Sequence, residues 1–144
     1  RRLRPLLEGR RVEADLAPNL PMVQVDGVLI GQVLANLLEN ATKYTPPGTR
    51  IHVGAQLAHG ELEVSVADEG PGLPPGEETR IFEKFHRAAP EAAQSGVGLG
   101  LAICRAIVTL HGGTIGVENL PAGGAVFRFT LPVGAPPAGA ALPR

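Results

Sequence analysis

The amino-acid sequence predicts an α+β fold, a two-layer α/β sandwich. We expect a mixed, mostly antiparallel sheet of about five strands covered by about three helices. Two stretches carry apolar residues at steps of three and four, which is the spacing of one helix face. Several other stretches alternate apolar with polar residues, which is typical of strands that bury one face.

The first helix is predicted to begin after Asp26, whose carboxylate can accept hydrogen bonds from the free backbone N–H groups of a helix start. Its apolar stripe comprises Ile30, Val33, Leu34, Leu37, Leu38 and Ala41. The Thr-Pro-Pro-Gly sequence at 45–48 ends it. The second helix is predicted over 99–110 and is closed by two glycines after His111, at a helix end that favours an imidazolium.

Alternation predicts five strands, over residues 11–16, 51–57, 61–66, 114–117 and 125–131, and the third of these continues to Asp68. His59-Gly60 separates the second strand from the third by a tight turn, so these two strands are expected to form a hairpin. Residues 22–25 form a further extended segment. Residues 69–98 show little regular pattern, and a span of this length within a domain is usually functional or mobile.

The bulk composition limits the classes of function. The chain has 144 residues, a net charge of −1, 44% hydrophobic residues and 19% charged residues, which indicates one globular domain. The balanced charge gives no indication of a nucleic-acid or anionic-membrane partner, and the scarce aromatic residues argue against the base-stacking surfaces of single-strand-binding proteins. No apolar run reaches the ~20 residues of a membrane span. The single cysteine, Cys104, lies in an apolar helical run and is expected to be a buried, inert thiol.

Polar residues at helical spacing mark the first helix. Asn36, Asn40 and Lys43 lie one turn apart and share a face. The amide oxygen of Asn40 is a suitable hard ligand for Mg²⁺ beside phosphate oxygens, and Lys43 can reach a phosphate. A solvated polar face is the alternative, although two mid-helix asparagines, which are mediocre helix formers, favour a function.

A carboxylate ends the third predicted strand. Asp68 precedes Glu69-Gly70-Pro71-Gly72, which turns the chain away from the sheet. There a carboxylate can accept a hydrogen bond from the exocyclic amine of adenine, whereas guanine presents a carbonyl oxygen at that position. The alternative is an ordinary turn that begins with aspartate.

Glycines precede the second helix at Gly96, Gly98 and Gly100. Such a segment lets backbone N–H groups approach an anion at a helix N-terminus. The dinucleotide-binding fingerprint is excluded because its sixth place holds Leu101 or Ile103, and the Gly-Lys-Ser/Thr of the phosphate-binding loop is absent. A merely flexible loop remains the alternative. The three motifs together predict a site for Mg²⁺ and a nucleotide.

These motifs resemble those of the ATP-binding catalytic domain of bacterial sensor histidine kinases, in the gyrase, chaperone, kinase and mismatch-repair ATPase superfamily. The similar segments are 36–44 (N box), 68–72 (G1 box), 81–87 (F box), 98–103 (G2 box) and 123–127 (last glycine box). The surrounding sequence resembles most the Kdp-type potassium-responsive sensor kinases. The resemblance covers about residues 10–133 and implies the Bergerat-type ATP-binding fold.

The resemblance also implies the role of each position. Asn40 would ligate Mg²⁺, and Asp68 would bind the adenine amine. Asn36, Lys43 and Arg87 would be catalytic, acting by positioning and charge neutralisation. The other positions expected to bind ATP are Tyr44, Gly70, Gly72, Phe85, Gly98, Leu99 and Gly100. The island of Phe82 and Phe85, together with residues 86–97, would form a lid.

Two positions depart from the family pattern. ATP-hydrolysing members carry a glutamate four residues before the metal-binding asparagine, where it orients a water. Here that position is Asn36, whose amide cannot act as a base. Ala125 stands where the last glycine box often carries serine or threonine, so one polar contact is expected to be missing.

The phosphoacceptor histidine of the family, which precedes an acidic residue, is missing: the four histidines are His52, His59, His86 and His111, and none has that context. We therefore expect a protein-histidine kinase domain that donates the γ-phosphoryl group of ATP to a His-containing dimerisation domain of the same full-length protein. Its second partner would be a cognate response regulator. An ATP-hydrolysing enzyme and a degenerate, non-catalytic interaction module remain alternatives.

The expected organisation is a linker over 1–9, the catalytic domain over 10–133 and a disordered tail over 134–144. Because the chain does not begin with Met, we expect a piece of a longer protein. The resemblance implies a cytoplasmic domain of an inner-membrane sensor, with no direct membrane contact and no nucleic-acid partner.

Overall fold

A computed structural model of the chain describes residues 12–18, 20, 23, 25–43, 45–46, 48–83 and 100–133. The strands are β1 (Val12–Leu16), β2 (Ile51–Ala58), β3 (Glu61–Asp68), β4 (Ile115–Asn119) and β5 (Ala125–Pro132). The helices are α1 (Gly27–Lys43) and α2 (Gly100–Leu110), and a 3₁₀ turn covers Glu77–Thr79. The predicted linker and tail lie outside the described residues.

The strands form one mixed sheet in the order β1-β2-β3-β5-β4. β1 runs parallel to β2, and the other three neighbouring pairs are antiparallel. His59 and Gly60 join β2 to β3 with positive φ angles of 53° and 77°, as a two-residue hairpin turn requires. The predicted α+β fold with a mostly antiparallel sheet is confirmed.

Asp26 caps α1, as predicted from its type and position in the sequence. Its Oδ1 accepts hydrogen bonds from the backbone N–H groups of Val28 (3.0 Å) and Leu29 (3.1 Å). The apolar stripe of the helix packs into the core, where Val33 and Leu37 are completely buried. The spacing of apolar residues therefore fixes which face of α1 turns inward, and leaves a polar face for other contacts.

The helices pack against each other and against the apolar face of the sheet. Within the sheet Val66 pairs with Phe127, and Val64 with Phe129. The core cluster consists of Val33, Leu37, Ala41, Ile51, Val66, Leu73, Ile81, Phe82, Leu101, Cys104, Ile107, Val108, Phe127, Phe129 and Leu131. Val23 and Val25, from the extended segment predicted over 22–25, are packed against this cluster but lie in no strand.

His111 joins the end of α2 to the start of α1. Its ring is buried, with Nδ1 2.8 Å from the carbonyl oxygen of Ile107. The backbone N–H of Asp26 donates to Nε2 at 3.1 Å. Because Nε2 accepts this bond, the ring is neutral, and the imidazolium favoured by its helix-end position is wrong for this site. The predicted glycine cap is present, since Gly112 has a φ of 84°.

Cys104 is completely buried where α2 faces α1, with its Sγ 3.7 Å from the carbonyl oxygen of Val33. Burial raises the pKa of the Cys104 thiol from its ordinary value of 9.0 to about 11. The thiolate fraction near neutral pH falls accordingly, and the thiolate is the reactive form.

Alkylation of Cys104 by iodoacetamide should be at least about tenfold slower in the native protein than in denaturant. Equal rates in a quenched time course would contradict the buried thiol.

Neither of the two described helices combines the length and apolarity needed to cross a lipid bilayer.

Candidate nucleotide-binding site

Asp68 is the last residue of β3, and it is only 7% exposed. Its Oδ1 accepts a hydrogen bond from the backbone N–H of Gly70 at 2.9 Å, which forms an aspartate-initiated turn. The turn considered as an alternative from the sequence is therefore present. It does not exclude a binding role, because a carboxylate has about four sites that can accept hydrogen bonds.

Asn40 of α1 and Asp68 of β3 line the same pocket. The remaining lining residues are Gly72, Leu73, Ala125 and Phe127. The structure thus brings an amide and a buried carboxylate together from a helix and a strand end. Ala125 contributes only a methyl group where the family pattern often has a hydroxyl, as the sequence indicated.

The glycines after Asp68 are required by close packing. A Cβ on Gly70 would crowd the Thr45 side chain and lie 3.2 Å from Asp68 Oδ1. Gly72 has a φ of 84°, and its Cβ would lie 2.8 Å from Asn119 Oδ1. Side chains at either position would therefore displace the wall of the pocket.

The last glycine motif packs directly against the backbone of Asp68. Gly124 has a φ of 95°, and a Cβ there would overlap the carbonyl group of Asp68. This contact exists because β5 is the neighbour of β3 in the sheet, with Val126 paired to Ala67. Gly124 therefore sets how closely the start of β5 approaches the carboxylate-bearing end of β3.

Asn36 connects the polar face of α1 to the glycine motif. Its Nδ2 donates to the carbonyl oxygen of Gly100, the first residue of α2, at 3.3 Å. Asn40 faces the pocket one turn further along, and Lys43 is the exposed last residue of the helix. The predicted polar face of α1 thus extends from the start of α2 to the pocket.

Five of the predicted site residues lie outside the described part of the chain: Tyr44, Phe85, Arg87, Gly98 and Leu99. The predicted lid over 86–97 also lies outside it. At the described beginning of the F box Ile81 and Phe82 are buried and Glu83 is exposed. Phe82 packs edge-to-face on the pocket residue Phe127 with ring centroids 6.1 Å apart. The prediction that Phe82 belongs to the lid is therefore wrong, because its ring is part of the core.

Two adjacent carboxylates have different surroundings at the end of β3. Asp68 faces the pocket, whereas Glu69 lies among exposed charged groups. Glu69 Oε2 is 2.9 Å from His52 Nε2 and 3.9 Å from Arg50 Nη1. Exposed pairs of this kind contribute at most about 1 kcal/mol, so they fasten the loop only weakly.

The residue that the sequence did not reveal is Asn119, at the end of β4. Its Oδ1 accepts a hydrogen bond from the backbone N–H of Leu73 at 2.8 Å, and its Nδ2 donates to the Leu73 carbonyl oxygen at 3.0 Å. In the sequence it is an ordinary polar residue before a Pro-Ala-Gly-Gly turn. No local signal points to a partner 46 positions away.

Residues 25–135 match the family model described as "Histidine kinase-, DNA gyrase B-, and HSP90-like ATPase". The chain belongs to this ATPase family. It is 53% identical over 121 residues to the sensor protein KdpD of Escherichia coli K12, and 43% identical over 127 residues to the adaptive-response sensory kinase SasA of Trichormus variabilis. The alignments cover 84% and 88% of this chain, but only 14% of KdpD and 32% of SasA.

Solved structures of histidine kinases share the fold of this chain. The mycobacterial sensor histidine kinase MprB superposes with a TM-score of 0.82 at 33% identity, covering 92% of this chain and 89% of that one. Full-length ShkA, solved in complex with AMPPNP, gives a TM-score of 0.78 at 31% identity over 93% of this chain and 28% of its own. The resemblance to the ATP-binding catalytic domain of a sensor histidine kinase is confirmed.

Proposed function

We propose that the chain is the catalytic domain of a two-component sensor histidine kinase, which binds Mg-ATP and donates the γ-phosphoryl group to a histidine on a separate dimerisation domain. The observation that carries this proposal is the pocket shared by Asn40 and Asp68. An oxygen ligand for a hard cation and an acceptor for an amine are the two groups that the opposite ends of Mg-ATP need.

Asp68 would bind the adenine base. Its carboxylate would accept a hydrogen bond from the exocyclic amine, while the bond from Gly70 N–H holds the carboxylate in place. Burial strengthens this recognition, because a ligand that leaves a buried acceptor site without a hydrogen-bond donor incurs the desolvation cost of that site. Guanine, with a carbonyl oxygen in place of the amine, would leave the carboxylate facing an acceptor.

Asn40 and Lys43 would bind the metal and the phosphate groups of Mg-ATP. No group of three or more His, Cys, Asp or Glu residues in the described ranges could hold a metal ion. Mg²⁺ in nucleotide sites is usually held by one or two protein oxygens together with phosphate oxygens and waters, and the amide oxygen of Asn40 fits that arrangement. Mg²⁺ would neutralise phosphate charge, and Lys43 would add a fixed positive charge. Arg87 would contribute another.

Asn36 favours transfer over hydrolysis. An amide cannot accept a proton from water, so the position that activates water in hydrolysing relatives is inert here. The amide of Asn36 instead holds the first turn of α2 through Gly100, which would order the glycine frame around the phosphates. The nucleophile would be an imidazole nitrogen of the dimerisation domain, placed for in-line attack.

The partners follow from the same proposal. The histidine acceptor would belong to another domain of the full-length protein, and a response regulator would then take the phosphoryl group in a phosphorelay. The similarity to sensor protein KdpD supports a cytoplasmic position in an inner-membrane, potassium-responsive sensor. Nothing in the balanced net charge of −1 favours a nucleic-acid partner.

The decisive experiment mixes this chain with a His-bearing helical hairpin domain and ATP labelled at the γ-phosphate. Label that moves to the hairpin and is stable in base but labile in acid, as phosphohistidine is, would support the kinase. Steady release of phosphate by the chain alone would instead favour the ATP-hydrolysing alternative. Absence of nucleotide binding in calorimetry would favour the non-catalytic module.

Asn40→Ala should separate metal-dependent from metal-independent binding. We expect the affinity for Mg-ATP to fall about tenfold or more, because an oxygen ligand is lost, and the affinity for ATP in EDTA to change by less than about threefold. Isothermal titration with and without Mg²⁺ measures both. Glu39→Ala is the matched control, because that side chain is about 100° away on the same helix. Equal losses with and without Mg²⁺ would rule out Asn40 as the ligand.

A further inference from the structure

The segment that follows Asp68 is held at both ends. At its start, Gly70 N–H donates to the Asp68 carboxylate. At its end, both backbone polar groups of Leu73 bond to the side chain of Asn119. Leu73 is buried and lines the pocket, so the position of its backbone sets the position of one pocket wall.

The amide of Asn119 fits this task chemically. An asparagine side chain presents one acceptor and two donors in a plane, which matches the N–H and C=O of a single residue in the way that a neighbouring strand does. Asn119 occupies the last paired position of β4, opposite Ala125, another residue of the pocket lining. The absence of a side chain on Gly72 leaves space for the amide, since a Cβ there would lie 2.8 Å from Asn119 Oδ1.

We propose that Asn119 is a positioning residue for nucleotide binding, which holds Leu73 so that the pocket wall and the Asp68 carboxylate are in place before ATP arrives. This inference rests on the proposed function. Asn119 acts through Leu73 and is assigned no contact with the base. Its contribution is preorganisation, because an unfastened loop would have to be ordered at the expense of binding free energy.

The test uses Asn119→Leu, which keeps the same branched arrangement of side-chain heavy atoms and removes both hydrogen bonds, with Asn119→Ala as the second variant in case the larger leucine disturbs folding. Thr130→Val is the matched control, because it removes a side-chain hydrogen bond to the backbone N–H of Thr114 at the opposite end of β5. Urea unfolding establishes the stability of each variant. ATP and GTP affinities are measured by calorimetry.

We expect Asn119→Leu to weaken ATP binding about tenfold and GTP binding by less than about threefold, because only adenine uses the positioned carboxylate. Thr130→Val should bind ATP within about twofold of wild type at comparable stability. Without nucleotide, the backbone N–H of Leu73 should exchange with solvent about tenfold faster in Asn119→Leu than in wild type or Thr130→Val.

The outcomes separate this inference from the proposed function. If wild type binds ATP and Asn119→Leu binds it equally well, the positioning role is wrong and the proposed function stands. Equal losses for ATP and GTP, or unchanged exchange of the Leu73 amide, would also overturn the role. Failure of the wild-type chain to bind any nucleotide would overturn both.

Discussion

Asp68→Asn should bind ATP about 10- to 150-fold more weakly than wild type, a loss of about 1.5–3 kcal/mol. The substitution is isosteric, and the amide oxygen of asparagine can still accept the bond from Gly70 N–H that forms the turn. It replaces one acceptor with an NH₂ group, which would face the exocyclic amine of adenine donor to donor. The effect should therefore fall on base recognition while the fold persists, as calorimetry and urea unfolding would show.

Glu69→Gln is the control for Asp68→Asn. It removes one negative charge at the next position, but from a side chain that pairs with exposed groups and does not line the pocket. ATP affinity should stay within about twofold of wild type, since exposed pairs contribute little. In Asp68→Asn the affinity for GTP should fall far less than the affinity for ATP. Unchanged ATP affinity in that variant, or an equal loss in Glu69→Gln, would contradict Asp68 as the adenine acceptor.

The elements that the sequence predicted well are those set by local chemistry. Apolar spacing placed α1 and α2, the cap of Asp26 follows from one side chain, and the β2–β3 hairpin follows from two turn residues with positive φ. The pairing of Asn40 with Asp68 in one pocket could be predicted only through the family motifs. Periodicity alone does not show which helix lies beside which strand end.

The contacts that were not predictable join residues far apart in the chain. Asn119 and Leu73 are separated by 46 positions, and His111 and Asp26 by 85. The first depends on the order of the strands, which places β5 between β3 and β4. The second depends on the packing of α2 against α1. His111 shows the consequence: its position at a helix end favoured a charged ring, but the backbone N–H donor of Asp26, just before α1, requires a neutral one.

Gly124→Ala should destabilise the fold by about 3 kcal/mol and impair the site at the same time. Two causes act together: a φ of 95° is strained for any residue with a Cβ, and that Cβ would overlap the carbonyl group of Asp68. Relief of the overlap requires β5 and the end of β3 to separate, which would move the Asp68 carboxylate. Urea unfolding gives the stability, and calorimetry on the folded protein gives the ATP affinity.

Two other glycines separate the effect on stability from the effect on the site. Gly116→Ala, on β4, meets no atom within 4 Å and should change stability by less than about 1 kcal/mol. Gly113→Ala would overlap the carbonyl group of Thr130, away from the pocket lining, and should destabilise the fold while the folded protein binds ATP normally. If Gly113→Ala and Gly124→Ala weaken ATP binding equally, the loss follows stability alone. A selective loss in Gly124→Ala would mean that the last glycine motif acts on the nucleotide through the backbone of Asp68.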